Sequence, residues 1–176
     1  MRKFSVQDLV LAAMAAALYA VMGYFGSIFG LTFGPVQVRF AEALTVLPFL
    51  FPATAPGLAI GCLITNLLSP YGPADILFGT LATAAAAALT VKMPRWYLAA
   101  LPPIIVNAAI LPPMWAWAEA GAVNAAFWTA CAFNALTFIL GEALACYVLG
   151  TPLLKLLPRI GVLKPALRRT ERTPAI

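Results

Sequence analysis

The sequence contains no histidine, and only 10% of its 176 residues are charged. Without histidine the chain can form neither a histidine-based catalytic triad nor a histidine metal site. Soluble domains are about one quarter charged, whereas here 63% of the residues are hydrophobic. Such a chain lacks the polar residues needed to cover a soluble globule. These shortages exclude a soluble enzyme and predict one integral membrane domain over residues 1–176.

Other familiar sites are missing as well. The three cysteines, Cys62, Cys131 and Cys146, stand alone in apolar runs without a CxxC pair. We interpret them as small buried thiols and not as a metal or redox site. The sequence has no Walker phosphate-binding motif. We therefore expect no cofactor on this chain and no ATP hydrolysis by it.

Long apolar runs predict a compact all-α bundle of six transmembrane helices, since a helix needs about 20 apolar residues to cross a bilayer. The second run carries three prolines, and we place a turn between Pro52 and Pro56. The helices before and after this turn are then short, about 20 Å each. The predicted spans are 6–29, 40–53, 56–69, 73–91, 96–115 and 123–149, followed by a basic tail over 151–176.

The positive charges are distributed unevenly between the two ends of this bundle. With six crossings, ten of the eleven basic residues fall on one side, and only Arg39 falls on the other. By the positive-inside rule the ten face the cytoplasm, so both termini are predicted to be cytoplasmic in a cell-membrane protein. Attraction of the tail to anionic lipid is the ordinary interpretation of its charge, and we expect no nucleic-acid partner. The ten are Arg2, Lys3, Lys92, Arg95, Lys155, Arg159, Lys164, Arg168, Arg169 and Arg172.

Polar side chains inside apolar runs are costly and are therefore candidates for function. Most lie in the outer half of the predicted bundle, which suits a pocket open to the outside for a neutral or cationic polar solute. Asn134 and Glu142 are eight residues apart and are expected on one helix face. The candidate ligand-binding residues are Arg39, Glu42, Asn66, Tyr71, Asp75, Asn107, Trp128, Asn134 and Glu142.

Several of these candidates have structural alternatives that the sequence leaves open. Asp75 is placed to cap a helix, and Arg39 with Glu42 is spaced for a local ion pair. The asparagines can serve as hydrogen-bonding links between helices. Glu119 is expected to be a solvated loop acid. The tryptophans are interpreted mainly as an interfacial aromatic belt, with ligand stacking as the alternative; they are Trp96, Trp115, Trp117 and Trp128.

Alanines recur at every fourth position of the first helix, at Ala12, Ala16 and Ala20. Such a row of small side chains lets two helix backbones approach closely. The row is expected either to pack inside the bundle or to dock a partner subunit.

Three blocks of the sequence resemble the QueT family. The long block VQVRFAEALTVLPFLFPATAPGLAIGCLITNLLSPYGPADILFGTLAT covers 36–83, and shorter blocks are PPIIVNAAI at 102–110 and GEALACYVLGTPLL at 141–154. The resemblance implies a six-helix substrate-binding (S) component of an energy-coupling factor (ECF) transporter. It implies capture of a 7-deazaguanine queuosine precursor, such as 7-aminomethyl-7-deazaguanine or queuine, beneath an outer loop at 30–39.

The same resemblance implies partners: an ECF transmembrane subunit that docks on the alanines of the first helix, and two cytosolic ATPase subunits. Other functions remain as alternatives to an S component for a queuosine precursor. They are an S component for another vitamin or purine-like solute, a passive assembly subunit or small channel, and a membrane-embedded enzyme. The enzyme is disfavoured because no nucleophile–base pair is evident.

Overall fold

The computed structural model describes residues 5–33 and 37–163, and this range is entirely helical, without a strand. The predicted all-α class is confirmed. The helices are α1 (Val6–Ile28), α2 (Thr54–Asn66), α3 (Pro73–Thr90), α4 (Leu101–Ala120), α5 (Ala125–Ala143) and α6 (Thr151–Leu156). A 3₁₀ helix occupies Phe40–Phe49 and a π-helix occupies Leu144–Gly150, with short 3₁₀ turns at Trp96–Leu98, Leu157–Arg159 and Gly161–Leu163.

Four helical segments of the described chain are long and apolar enough to cross a membrane. They are Val6–Ile28, Pro73–Thr90, Trp96–Ala120 and Ala125–Arg159. The second and third predicted spans correspond to the 3₁₀ helix and α2, which have only 10 and 13 residues. Their shortness agrees with the sequence, but six full crossings and the orientation of the termini stay predictions.

The 3₁₀ helix replaces the α-helix that the apolar run predicted near 40–53. Pro48 lies inside it and has no N–H to donate, which disfavours a regular α-helix there. Because a 3₁₀ helix rises about 2.0 Å per residue, its ten residues still extend about 20 Å. All positions from Ala41 to Phe49 are buried, and the segment contacts α1, α2, α3 and the π-helix. It therefore runs through the interior of the bundle.

Two helices extend beyond their predicted ends. The last one continues from α5 through the π-helix and α6, so the predicted boundary at Leu149 is too early and the basic tail begins within this helix. Residues 164–176 of that tail lie outside the described ranges. Helix α4 runs to Ala120 and ends at Gly121, whose φ of 68° is accessible to glycine. Glu119 is consequently a helical residue of the last turn, and its assignment to a loop was wrong.

Helices α1 and α2 approach each other closely through small residues. A Cβ at Gly57 would lie 2.0 Å from the carbonyl oxygen of Ala12, and one at Gly61 would lie 2.7 Å from that of Ala16. Ala12 is buried, while Ala16 and Ala20 are half-buried. The alanine row is therefore engaged at least in part by packing inside the chain, and partner docking on it remains untested.

Candidate functional site

Six of the nine predicted ligand-binding residues are buried in the bundle, each with at most 3% of its surface exposed. Isolated polar groups in such surroundings are unfavourable unless they find partners. We call these residues the polar cluster. Its members are Arg39, Glu42, Asn66, Asp75, Asn107 and Glu142.

Glu42, in the first turn of the 3₁₀ helix, is the best-connected member. Its Oε1 accepts a hydrogen bond from the Tyr19 hydroxyl at 2.5 Å and lies 3.3 Å from Nε of Arg39. The local ion pair expected from the three-residue spacing is therefore present. Oε2 of Glu42 and Nη1 of Arg39 nevertheless have no partner among the described residues.

Glu142 enters the same region from α5, immediately before the π-helix. Its Oε1 accepts a hydrogen bond from Nδ2 of Asn107 on α4 at 2.7 Å. Oε2 of Glu142 and Oδ1 of Asn107 have no partner in the described chain. Glu142 interacts electrostatically with both Glu42 and Arg39, which places the three charges in one neighbourhood.

Asp75 lies in the first turn of α3, but this helix has no side-chain cap hydrogen bond. Instead, Oδ1 of Asp75 accepts a hydrogen bond from the Trp115 indole at 3.4 Å, and Oδ2 is unpartnered within the described residues. Asn66 donates to the main-chain carbonyl of Asp75 at 3.0 Å. Of the two interpretations open for Asp75, the side-chain cap is therefore not observed.

Aromatic rings form one wall of the polar cluster. Trp115 stacks on Tyr71 with 5.6 Å between centroids and meets Phe138 edge-on at 5.5 Å, while the Arg39 guanidinium lies 6.0 Å from the Phe138 ring. Trp115 has no exposed surface, so its assignment to the interfacial belt was wrong. Trp115 is instead buried between Asp75 of α3 and Phe138 of α5, where it lines the candidate site.

Two aromatic candidates of the sequence lie elsewhere. Trp117 and Trp128 are 55% and 64% exposed, as residues of an interfacial belt would be. Trp128 therefore does not join the polar cluster in this structure.

Three residues form a separate, more exposed group at the end of the bundle next to Trp115. Oε1 of Glu119 accepts hydrogen bonds from the Tyr71 hydroxyl and from Nδ2 of Asn134, each at 3.2 Å. Partial burial and the nearby Glu119 charge raise the pKa of Tyr71 to about 12, so its hydroxyl remains a donor at neutral pH. Asn134 and Glu142 both bond to α4, as expected for residues on one face of α5, but Asn134 contacts Glu119 and not the polar cluster.

The loop before the 3₁₀ helix is pressed against α5 beside Glu142. A Cβ at Gly141 would lie 1.7 Å from the main-chain oxygen of Gln37, so only glycine permits this approach. Val38 N–H donates to the Leu31 carbonyl at 2.9 Å, which joins the two described arms of the predicted capping loop. Residues 34–36 of that loop lie outside the described ranges.

Seven buried side chains each present a polar atom that has no hydrogen-bond partner within the described chain: the six of the polar cluster and Gln37, through its Oε1. Each such atom costs roughly 1–3 kcal/mol compared with a paired one, and native proteins contain few of them. Three carboxylates and one guanidinium also leave the cluster with two excess negative charges when all are ionised. The arrangement is suited to a polar, flat ligand that carries positive charge.

Sequence reasoning missed Tyr19, Gln37 and Phe138 of this candidate site, and it kept Trp115 only as an alternative to the interfacial belt. Tyr19 lies three residues after Ala16 in an apolar helix, where nothing distinguishes it from a packing aromatic. Gln37 could have been identified from the sequence, because it is a polar residue in an apolar run, two positions before Arg39. Trp115 and Phe138 have only a general signal, since aromatics are common in any membrane bundle.

Comparison with known proteins adds an independent finding. The model of a family described as QueT transporter matches residues 9–159. A protein of Lactococcus lactis subsp. cremoris (strain MG1363) described as queuosine precursor transporter QueT is 32% identical over 83 residues. That alignment covers 47% of this chain and 48% of the relative, about half of each. No solved structure matches the chain.

Proposed function

Because the chain belongs to the QueT transporter family, we propose that it binds a 7-deazaguanine precursor of queuosine in the polar cluster. We further propose that it serves as the S component of an ECF-type, ATP-driven importer in the cell membrane. The family is one of transporters, which sets the enzyme alternative aside. The observation that carries the proposal is that the six residues of the polar cluster and Gln37 each keep a buried polar atom without a partner in the described chain, beside a wall of aromatic rings.

The chemistry of a 7-deazaguanine matches the groups available. Its ring N–H and exocyclic amine lie side by side, and a carboxylate can accept both. Its carbonyl oxygen is an acceptor for Arg39, whose Nη1 is unpartnered in the described structure. The flat ring system can pack against an aromatic wall that includes Trp115 and Phe138.

The charge of the cluster favours a precursor with an amine. Arg39 pairs with Glu42, whereas neither Asp75 nor Glu142 forms a salt bridge within the described residues. One of these two carboxylates can receive the guanine edge and the other a protonated amine. 7-Aminomethyl-7-deazaguanine and queuine both carry such an amine, and the nitrile precursor does not. We therefore propose that the amine-bearing compounds bind more tightly.

The proposed partners are an ECF transmembrane subunit and two cytosolic ATPase subunits. These follow from the sequence resemblance, with docking on α1 at Ala12, Ala16 and Ala20. The internal contacts of Ala12 with α2 favour a docking face that includes outward-facing neighbours, of which Ala13 and Ala17 are exposed.

Ligand titration of the purified protein tests the binding proposal. Thermal shifts are measured with 7-aminomethyl-7-deazaguanine, its nitrile analogue, queuine, guanine and riboflavin. A ligand at a hundred times its Kd stabilises the folded state by about 2.7 kcal/mol. We expect the two amines to raise the melting temperature most. A larger shift with riboflavin or guanine indicates an S component for another solute, and no shift with any compound contradicts solute capture.

A further inference from the structure

A concentration of positive charge that solute binding does not use lies where α3 ends, α4 begins and the last helix ends. Four cations meet at this end of the described bundle, and none of them forms a salt bridge with a described residue. They are Lys92, Arg95, Lys155 and Arg159.

Two of these cations line an open surface groove of about 370 Å³ along a single helical segment. Lys155 and Arg159 share it with Thr151, Pro152 and Leu156. Because the two cations are four residues apart on a helical segment, they project from one face. The Thr151 hydroxyl donates to the Tyr147 carbonyl. Lys155 and Arg159 are therefore the groove's strong donors.

The groove lies where two apolar helical segments end, which is where a spanning helix would meet the lipid headgroups. Nζ of Lys155 is 4.3 Å from the centroid of the Trp96 ring, and Trp96 begins one apolar span while Arg159 ends another. Tryptophan at the end of a span marks the membrane interface. Leu156 is 55% exposed beside the cations, so the groove combines two positive charges with an exposed apolar side chain.

Stabilisation of the helix terminus explains only part of this arrangement. A cation in the last turn of a helix interacts favourably with the helix dipole, and Lys155 has that position in α6. This effect accounts for the sign of the charge. It does not require a second cation on the same face, an aromatic ring under the ammonium group or a groove between them.

We propose that this groove binds the phosphate of an anionic phospholipid. Lys155 and Arg159 contact the phosphate oxygens, and Leu156 packs along the upper part of an acyl chain. Clusters of lysine and arginine immediately beyond the cytoplasmic end of a transmembrane helix attract anionic lipid headgroups. The site is distinct from the polar cluster and is independent of which solute the protein carries.

Native mass spectrometry with defined lipids tests the proposal on the full chain in detergent. The probes are dioleoyl phosphatidylglycerol and dioleoyl phosphatidylcholine, with glycerol phosphate as a soluble anion that lacks acyl chains. We expect one phosphatidylglycerol per protein to be retained in preference to phosphatidylcholine. The double variant K155Q/R159Q should bind it about thirtyfold more weakly.

The matched control is K92Q/R95Q, which removes the same charge at the same end but no groove residue. Retention of phosphatidylglycerol by this control and its loss in K155Q/R159Q support the site. Equal losses in both variants, equal retention of phosphatidylcholine by the wild type, or binding of glycerol phosphate as strong as that of the lipid overturns it. If K155Q/R159Q fails to fold, K155Q alone replaces it. The preference for phosphatidylglycerol over phosphatidylcholine is measured on the wild-type protein and needs no variant.

Discussion

At the scale of single residues, the informative atoms are those without partners. Glu142 is 1% exposed, and one of its two carboxylate oxygens lacks a donor in the described chain. A residue kept for stability alone would be replaced there by a neutral or apolar one, because a buried unpaired charge is unfavourable. The placement of such a group is better explained by a ligand that completes its interactions.

Glu142→Gln should separate binding from stability. The amide keeps an acceptor for Asn107 but removes a buried negative charge, so the ligand-free protein should melt at an equal or higher temperature. Binding of 7-aminomethyl-7-deazaguanine should weaken by about 2–5 kcal/mol, since a charge-assisted contact is lost. Calorimetric titration and melting curves measure the two effects.

The exposed acid Glu119 supplies the control, and Glu119→Gln should change binding only slightly. A Glu142→Gln protein that binds the ligand normally would place the solute elsewhere. One that melts well below wild type would make Glu142 a structural residue.

Trp115→Phe tests the aromatic wall. Phenylalanine keeps a ring between Tyr71 and Phe138 but removes the indole N–H, which leaves Oδ1 of Asp75 without its donor. We expect a loss of roughly 1–3 kcal/mol in unfolding free energy and weaker solute binding. The exposed Trp128 provides the comparison, because Trp128→Phe should change stability by less than about 0.5 kcal/mol. Equal effects at both positions would contradict the assignment of Trp115 to the site.

At the scale of elements, the site depends on irregular backbone. The 3₁₀ helix carries Glu42 into the interior, and the π-helix begins two residues after Glu142. Long 3₁₀ and π segments are uncommon, and they occur often at functional positions. A regular α-helix in place of the 3₁₀ helix would turn Glu42 in another direction, whereas Glu142 is carried by the regular helix α5.

Gly141→Ala should displace the loop that supplies Gln37 and Arg39. The added methyl group meets the Gln37 oxygen, so the loop must move away from α5. We expect solute binding to fall at least tenfold, on the order of 1.4 kcal/mol, with the bundle still folded by circular dichroism. Gly161→Ala is the control, because its Cβ would meet no atom within 4 Å. Unchanged binding in Gly141→Ala would mean that the loop contributes nothing to the site.

Ala16→Trp tests the role of the alanine row on α1. The backbone of Ala16 lies against Gly61, so a large side chain should force α1 from α2. We expect the melting temperature and the solute affinity to fall together. The exposed Ala17 is the comparison, and Ala17→Trp should leave both unchanged while reducing copurification with a partner subunit. Normal stability and binding in Ala16→Trp, with loss of the partner, would instead support docking on Ala16.

At the scale of the whole molecule, the charge distribution predicts the orientation. Cysteines are introduced singly at Lys92 and at Trp117, which is 55% exposed, after the native cysteines have been replaced by alanine. An impermeant maleimide added to intact cells should label position 117 and not position 92, because the positive-inside rule predicts that the basic end faces the cytoplasm. Labelling of position 92 alone would show that the protein has the opposite orientation.

The all-α class, the boundaries of α3 and the local Arg39–Glu42 pair were all predictable from the sequence. They depend on apolar run length, proline position and residue spacing, which are local properties. The buried position of Trp115 and the partner of Asn134 were not predictable. Each depends on which faces of α4 and α5 meet, and no short-range pattern encodes that contact.

The sequence by itself determined that this protein belongs in a membrane and which polar residues must find partners there. This was possible because the free energy of transferring a side chain from water to hydrocarbon depends mainly on the chemistry of that side chain. Only the tertiary structure decided that Glu42, Asp75 and Glu142 come together, although 100 residues separate Glu42 from Glu142. Convergence of distant residues depends on how the helices pack and on the 3₁₀ helix that carries Glu42, and both are stabilised by contacts across the whole bundle.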